Sequence, residues 1–200
     1  MNVFGHLMIA KSVRNAVYTR IGTKISLLGF LYGNILPDIS SKYDEPPHFL
    51  KDSLGFVLDN ASNLKQCARN NRIDSFAFAR DAGVITHYLS DFFCFAHSEQ
   101  CTYSICRHHL YEMYMLLLFR RGLLLCKGRR FDTQPDYTDL KALILEQAAN
   151  YNSVEKKSMH DFAYAVGVST TVMTGLLKDA QYAEGNRIFS TPDIRPYISA

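Results

Sequence analysis

The sequence predicts an all-α fold, a single-domain bundle of about six to seven helices. Three observations lead there. Apolar residues recur at spacings of three and four along nearly the whole chain, and no convincing run alternates apolar with polar residues. The chain has 200 residues and is 48% apolar and 20% charged, which is enough for one sizeable core and excludes a disordered or collagen-like chain. A domain of this size buries roughly 70% of its unfolded surface, so it needs neither disulfide nor metal merely to fold.

The elements follow in order. Residues 3–17 read as a first helix. Residues 25–32 read as a second, closed by Gly33-Asn34 and Pro37, with a loop marked by Ser40-Ser41 and Pro46-Pro47. Residues 49–68 form a third, on the spacing of Leu50, Leu54, Val57, Leu58 and Ala61, and Asn70-Asn71 stops it. Asp74 caps the next, which continues to about His97 and is long enough to be a central buried helix. Residues 105–126 form another, ended by Gly128. A polar linker at 132–136 leads to helices at 140–151 and 154–177. The helical domain is expected over 1–184 and a loosely ordered tail over 185–200.

The net charge is +3, too balanced to indicate nucleic acid or an anionic membrane by itself. Five cysteines cannot all pair within the chain. His6, Lys11 and Arg14 stand where a signal peptide needs an apolar core, so a reducing cytoplasm is the expected compartment. No apolar run reaches the ~18 residues of a membrane span.

Seven histidines stand out, most of them near carboxylates. The segment T-H-Y-L-S-D-F-F-C-F-A-H puts His87 and Asp91 at i and i+4, on one helix face and within reach of one cation. On a continuous helix His97 would lie about 9 Å further along and roughly 120° around, serving a different metal. In H-H-L-Y-E, His108 and Glu112 repeat the i, i+4 spacing. His109 also fits at i, i+3, although the first geometry favours His108. Such nitrogen and oxygen donors are the mix that Zn²⁺ prefers. Asp38 after Pro37, His48 after Pro46-Pro47, and His6 are further candidates.

Taken in order, Gly5-His6, Pro37-Asp38, His48, H-Y-L-S-D with His97, and H-H-L-Y-E resemble the bacterial zinc-dependent phospholipase C family and the related zinc-dependent single-strand nucleases. The resemblance runs from residue 1 to about 115. It implies an all-α fold with up to three zinc ions. Asp38, His48, His87 and Asp91 would hold the first. His97, His108 and Glu112 would hold the second. His6 and a bridging Asp91 would hold the third. In the family an N-terminal Trp chelates that third zinc through its amine and carbonyl. This sequence has no Trp, but Met1 precedes His6 by five residues and is expected to substitute. The positive charge of three zinc ions would exceed the negative charge of Asp38, Asp91 and Glu112, which suits an anionic phosphodiester. Asp38 takes the role of general base that its family counterpart holds.

The aromatics beside these residues, Phe49, Tyr88 and Phe92, are candidates for binding substrate, by stacking on a nucleobase or lining an acyl pocket. The apolar run 113–125 reads as a buried helix whose polar side is Arg120-Arg121, with peripheral membrane contact as the other reading. Lys127, Arg129 and Arg130 form a basic cluster after it. Three function classes follow: a phospholipase C-like hydrolase of phospholipid head groups, a nuclease or nucleotidase using the same site, and a metal-binding protein without catalysis.

Overall fold

The computed structural model describes residues 1–43, 47–69, 73, 75–98, 101–128, 139–155 and 158–189, of which 105, 127–128 and 179–189 are described as backbone only. Among these residues there are seven α-helices and no strand: α1 (Val3–Ile21), α2 (Leu27–Ile39), α3 (Leu50–Arg69), α4 (Phe76–Phe92), α5 (Ile105–Gly128), α6 (Leu140–Ser153) and α7 (Ser158–Phe189). The all-α expectation holds. Single 3-10 turns lie at Ser41–Tyr43 and Phe95–His97.

Two helices make the centre. In α7 every residue from 161 to 177 is buried, and in α4 every residue from 82 to 92. The others pack around them, with α2 laid along α4, α5 along α7, and α1 against both α2 and α7. Phe30, Ile85, Tyr88, Leu89, Met115 and Phe162 are among the core side chains sealed from solvent. Each such side chain contributes roughly 1.5–3 kcal/mol by leaving water.

Three sequence readings are corrected. Gly33-Asn34 does not close α2, which runs on to Ile39 with Pro37 inside it. Gly33 lies at the α2–α4 crossing, where a Cβ would sit 2.0 Å from the carbonyl oxygen of Arg80, so its signal was close approach and not termination. The helix expected to reach His97 ends at Phe92. Phe93 and Cys94 leave helical geometry, and the chain re-forms as the 3-10 turn. The run 113–125 is only half buried. Met115, Phe119 and Gly122 face inward, but Met113, Tyr114, Leu117 and Leu124 are exposed beside Arg120 and Arg121, as is Leu110 a turn earlier.

The helical backbone of α7 passes residue 185 and continues to Phe189, and residues 190–200 lie outside the described residues. So do Pro46, Asn70-Asn71, the expected cap Asp74 and the linker 132–136, and the basic cluster at 127–130 lies outside the described side chains. Ser75 caps α4, accepting a hydrogen bond from the Phe78 amide. No helix among the described residues is long and apolar enough to cross a membrane.

Candidate metal centre

The site forms where the N-terminus of α1, the last turn of α2, the chain just before α3, the end of α4 and the first turns of α5 converge. Local structure aims each side chain. Asn2 caps α1 by accepting from the Gly5 amide at 2.9 Å, which turns Met1 inward. Gly5 leaves room for it, because a Cβ there would lie 2.8 Å from the Met1 Cγ. The close approach of α2 to α4 brings the Asn34 carbonyl 2.8 Å from His87 Nδ1. That carbonyl takes the Nδ1 proton and leaves the Nε2 lone pair facing Asp38 and Asp91, the orientation a metal-binding imidazole needs. The Ser53 hydroxyl donates to the Pro47 carbonyl and fixes the chain just before His48. Tyr88 and His87 both meet the His48 ring edge-on, with centroids at 5.3 and 4.9 Å.

Asp91 is the hub, and it is fully buried. Its two oxygens face different partners. Oδ1 lies 2.6 Å from the Met1 amine, 3.4 Å from His6 Nε2 and 3.8 Å from His97 Nε2. Oδ2 lies 2.9 Å from His48 Nδ1 and 3.3 Å from His87 Nε2. Asp38 stands at the rim, its Oδ1 3.7 Å from His87 and 3.9 Å from His48. Glu112 Oε1 is 3.0 Å from His108 Nε2 and 3.5 Å from His97 Nε2. His109 stands further off, with Nδ1 3.9 Å from Glu112 Oε2, and is 72% exposed, so the Glu112 pairing falls to His108.

Burial and neighbouring charge divide the protonation states. Burial, helped by His87, lowers the His6 imidazole to about 3, so it is neutral with a free lone pair at neutral pH. Burial alone would raise the Asp91 carboxyl, but His97, the Met1 ammonium, His6 and His87 hold it well below the usual range. Burial would also raise Glu112, yet His97, the ammonium and His108 bring it to about 2. Burial opposes charge on the Met1 amine. Asp91, Cys94 and Glu112 outweigh that and raise the ammonium to about 11. Burial, with Asp91 adding to it, raises Asp38 despite His87.

Four groups of side chains bring their donor atoms within 4.8 Å of one another: His6–His87–Asp91, Asp38–His48–His87, His48–Asp91–His97 and His97–His108–Glu112. They share members, and together they contain every His, Asp and Glu expected from the sequence to bind metal. His97 was expected to serve a metal apart from His87. The turn after Phe92 replaces the continuous helix and folds it back, so it stands with His48 and Asp91 and with His108 and Glu112, while none of the four groups joins it to His87. The donor set fits zinc, being nitrogen and carboxylate oxygen without thiolate. A sharper sign is His6, which is sealed from solvent and has no hydrogen-bond partner at either ring nitrogen. A buried unsatisfied imidazole is costly unless something takes its lone pair.

Beside His97 opens a cavity of about 380 Å³, lined by Phe49, Leu50, Leu54, Phe92, Leu145 and Tyr151, with Lys51 and Ser98 at its polar side. Two of the three aromatics expected at the substrate lie there. Tyr88 does not: it is fully buried against His48, His87 and Phe56 and backs the imidazoles. Sequence reading missed the Asn34 carbonyl, for which a sequence carries no signal.

An all-α fold wrapped around convergent imidazoles and carboxylates defines a class of helical protein whose nitrogen and oxygen donors could hold metal. The description of one family, zinc-dependent phospholipase C, states that class, and its family model matches residues 5–158. The chain belongs to the zinc-dependent phospholipase C family. Neither the curated proteins nor the solved structures include a significant match to it.

Proposed function

We propose that this chain is a phospholipase C-like hydrolase that cleaves the phosphodiester of a phospholipid head group at a centre of up to three zinc ions. The observation that carries the reading is Asp91, whose two oxygens face two separate sets of donors, as a carboxylate shared between two ions would. Asp38, His48, His87 and Asp91 make one set. His97, His108 and Glu112 make a second. His6, Asp91 and the Met1 amine and carbonyl make a third, the amine giving up its proton as metal binds. When bound, zinc lowers the pKa of water to about 7 and offsets charge building on the phosphoryl oxygens.

The chain's own groups do the rest. Asp38 is the most exposed of the three carboxylates, and burial raises its pKa, so it is the group placed to take a proton from an attacking water. The Asn34 carbonyl holds His87 in one tautomer throughout. The apolar cavity beside His97 takes the glyceride end of the substrate and keeps water from the leaving group. The outward face of α5 (Leu110, Met113, Tyr114 and Leu117, with Arg107, Arg120 and Arg121 and no acidic residue among its exposed positions) suits an anionic lipid surface.

The test is metal analysis of the purified protein together with three substrates: bis-p-nitrophenyl phosphate, phosphatidylglycerol vesicles and single-stranded DNA. Zinc binding with hydrolysis of the first two supports the reading. Cleavage of DNA in preference to lipid turns it to the nuclease, and zinc without hydrolysis turns it to a non-catalytic metal protein. Asp91→Ala should lose metal from two sets at once.

A further inference from the structure

Asp161 sits in the first turn of α7, is sealed from solvent, and belongs to none of the metal-capable groups. It nevertheless joins three other elements. Its Oδ2 accepts from the Phe95 amide at 3.0 Å and from the Tyr111 hydroxyl at 2.7 Å. Its Oδ1 accepts from the Tyr151 hydroxyl at 2.8 Å. Phe95 opens the 3-10 turn, Tyr111 lies on α5 and Tyr151 on α6.

The position of these donors matters more than their number. Phe95 stands two residues before His97. Tyr111 is the neighbour of Glu112 and lies three residues past His108. The first amide of a 3-10 turn has no partner inside the turn, so the turn is held at its start by whatever receives that N–H. Here the receiver is a carboxylate that also grips α5. One side chain thus sets the turn carrying His97 against the helix carrying His108 and Glu112. The turn also meets α5 through the Phe95 and Tyr111 rings and through Cys94 on Met115, but α4 has ended at Phe92 and the turn is only three residues long, so the Asp161 bond is its tie to α7. Asp161 lies just past the segment that the family model matches.

We propose that Asp161 is a positioning residue that assembles the His97–His108–Glu112 group and holds it ready for metal. This rests on the reading of that group as a zinc site. The carboxylate accepts hydrogen bonds from the Phe95 amide and the Tyr111 and Tyr151 hydroxyls, on three elements, using both oxygens, and a carboxamide of the same shape has only one oxygen with which to accept. Asp161→Asn therefore loosens the turn without opening a cavity.

The experiment titrates wild-type protein and Asp161→Asn with zinc against a chelator, and records the visible spectrum of each loaded with cobalt. Circular dichroism and thermal unfolding of the metal-free proteins monitor the fold. The expected result is an unchanged helix content, one class of zinc bound about 10- to 100-fold more weakly, and an altered cobalt spectrum. Should Asp161→Asn not fold, Tyr111→Phe and Tyr151→Phe each remove one donor and should weaken the same class of zinc by a smaller factor. Equal zinc affinity and an identical cobalt spectrum in the variants that fold, whatever their unfolding temperatures, would overturn the proposal and leave Asp161 a purely structural residue. If wild-type protein itself binds no zinc, it is the zinc reading that fails.

Discussion

The two halves of the metal centre are built by different means. His6, Asp38, His87 and Asp91 stand on helices, and their geometry follows from how α1, α2 and α4 pack. His97 stands on a three-residue turn facing α5, and that turn is tied to α7 by a hydrogen bond from the Phe95 amide to the distant Asp161, beside its contacts with Tyr103 and Tyr111. The first half is as rigid as the core. In the second, His108 and Glu112 stand on α5, and on our proposal the place of His97 beside them depends on the bonds around Asp161. A site can therefore be prepared by packing or by a buried polar network, and the two respond to different damage.

The largest effect should come from the residue both halves share. Asp91→Ala leaves several imidazoles and the Met1 amine without their common carboxylate. Zinc content should fall by two sets, and hydrolysis by more than the ~100-fold that marks loss of an outer partner. Full zinc content and activity in this variant would rule out a shared carboxylate. Next, Gly33→Ala attacks the first half alone. Its Cβ meets backbone, which no rotamer change relieves, so the cost should reach about 3 kcal/mol, at the upper end of overpacking. Chemical denaturation measures it, and the comparison predicts that the cobalt spectrum of the His97 group changes less than in Asp161→Asn.

A smaller, conditional effect belongs to the lipid reading. Leu117→Asp, on the exposed face of α5, should cut hydrolysis of anionic vesicles about 10-fold, from one leucine's transfer energy. Hydrolysis of bis-p-nitrophenyl phosphate should not change, and an equal loss on both substrates would place the defect in the fold instead.

The smallest effect is on the pH profile of the metal-free protein. His6 is depressed from 6.5 to about 3 and Glu112 from 4.5 to about 2, so the unfolded chain binds more protons in acid. Their contributions are present above the unfolded values. That of His6 is lost as pH falls from 6.5 towards 3, and that of Glu112 from 4.5 towards 2. The Met1 amine is raised from 8.0 to about 11, so its contribution is full below 8 and is lost as pH rises through 11. The unfolding temperature in chelator should peak between about pH 6.5 and 8. Residues added before Met1 should remove the part of the decline that begins near pH 8, leaving the later one from Cys94, Tyr88, Tyr111 and Tyr151, whose pKa values burial raises, and an onset near pH 8 unchanged by them would dissociate it from the amine.

What the sequence revealed divides along the same line. His87 with Asp91 and His108 with Glu112 were legible because a helix fixes the geometry of i and i+4. His97 was legible as a ligand type but misplaced, since F-F-C-F-A-H contains no Gly or Pro to announce a break. Gly33 was read as a stop because flexibility and close approach use the same residue. The outward leucines of α5 were read as core, because a period of 3.6 does not say which side of a helix is covered. Asp161 was invisible because its three donors come from segments between 10 and 66 residues away.

The unsatisfied His6 ring has a consequence for the cell. A protein whose interior contains donor atoms awaiting a cation has its folded population set partly by zinc supply. At free zinc 100-fold above its dissociation constant, one site adds about 2.7 kcal/mol. Without zinc that margin would be absent, and the unfolded population correspondingly larger. Its abundance would then follow metal availability, with no need for any separate sensor.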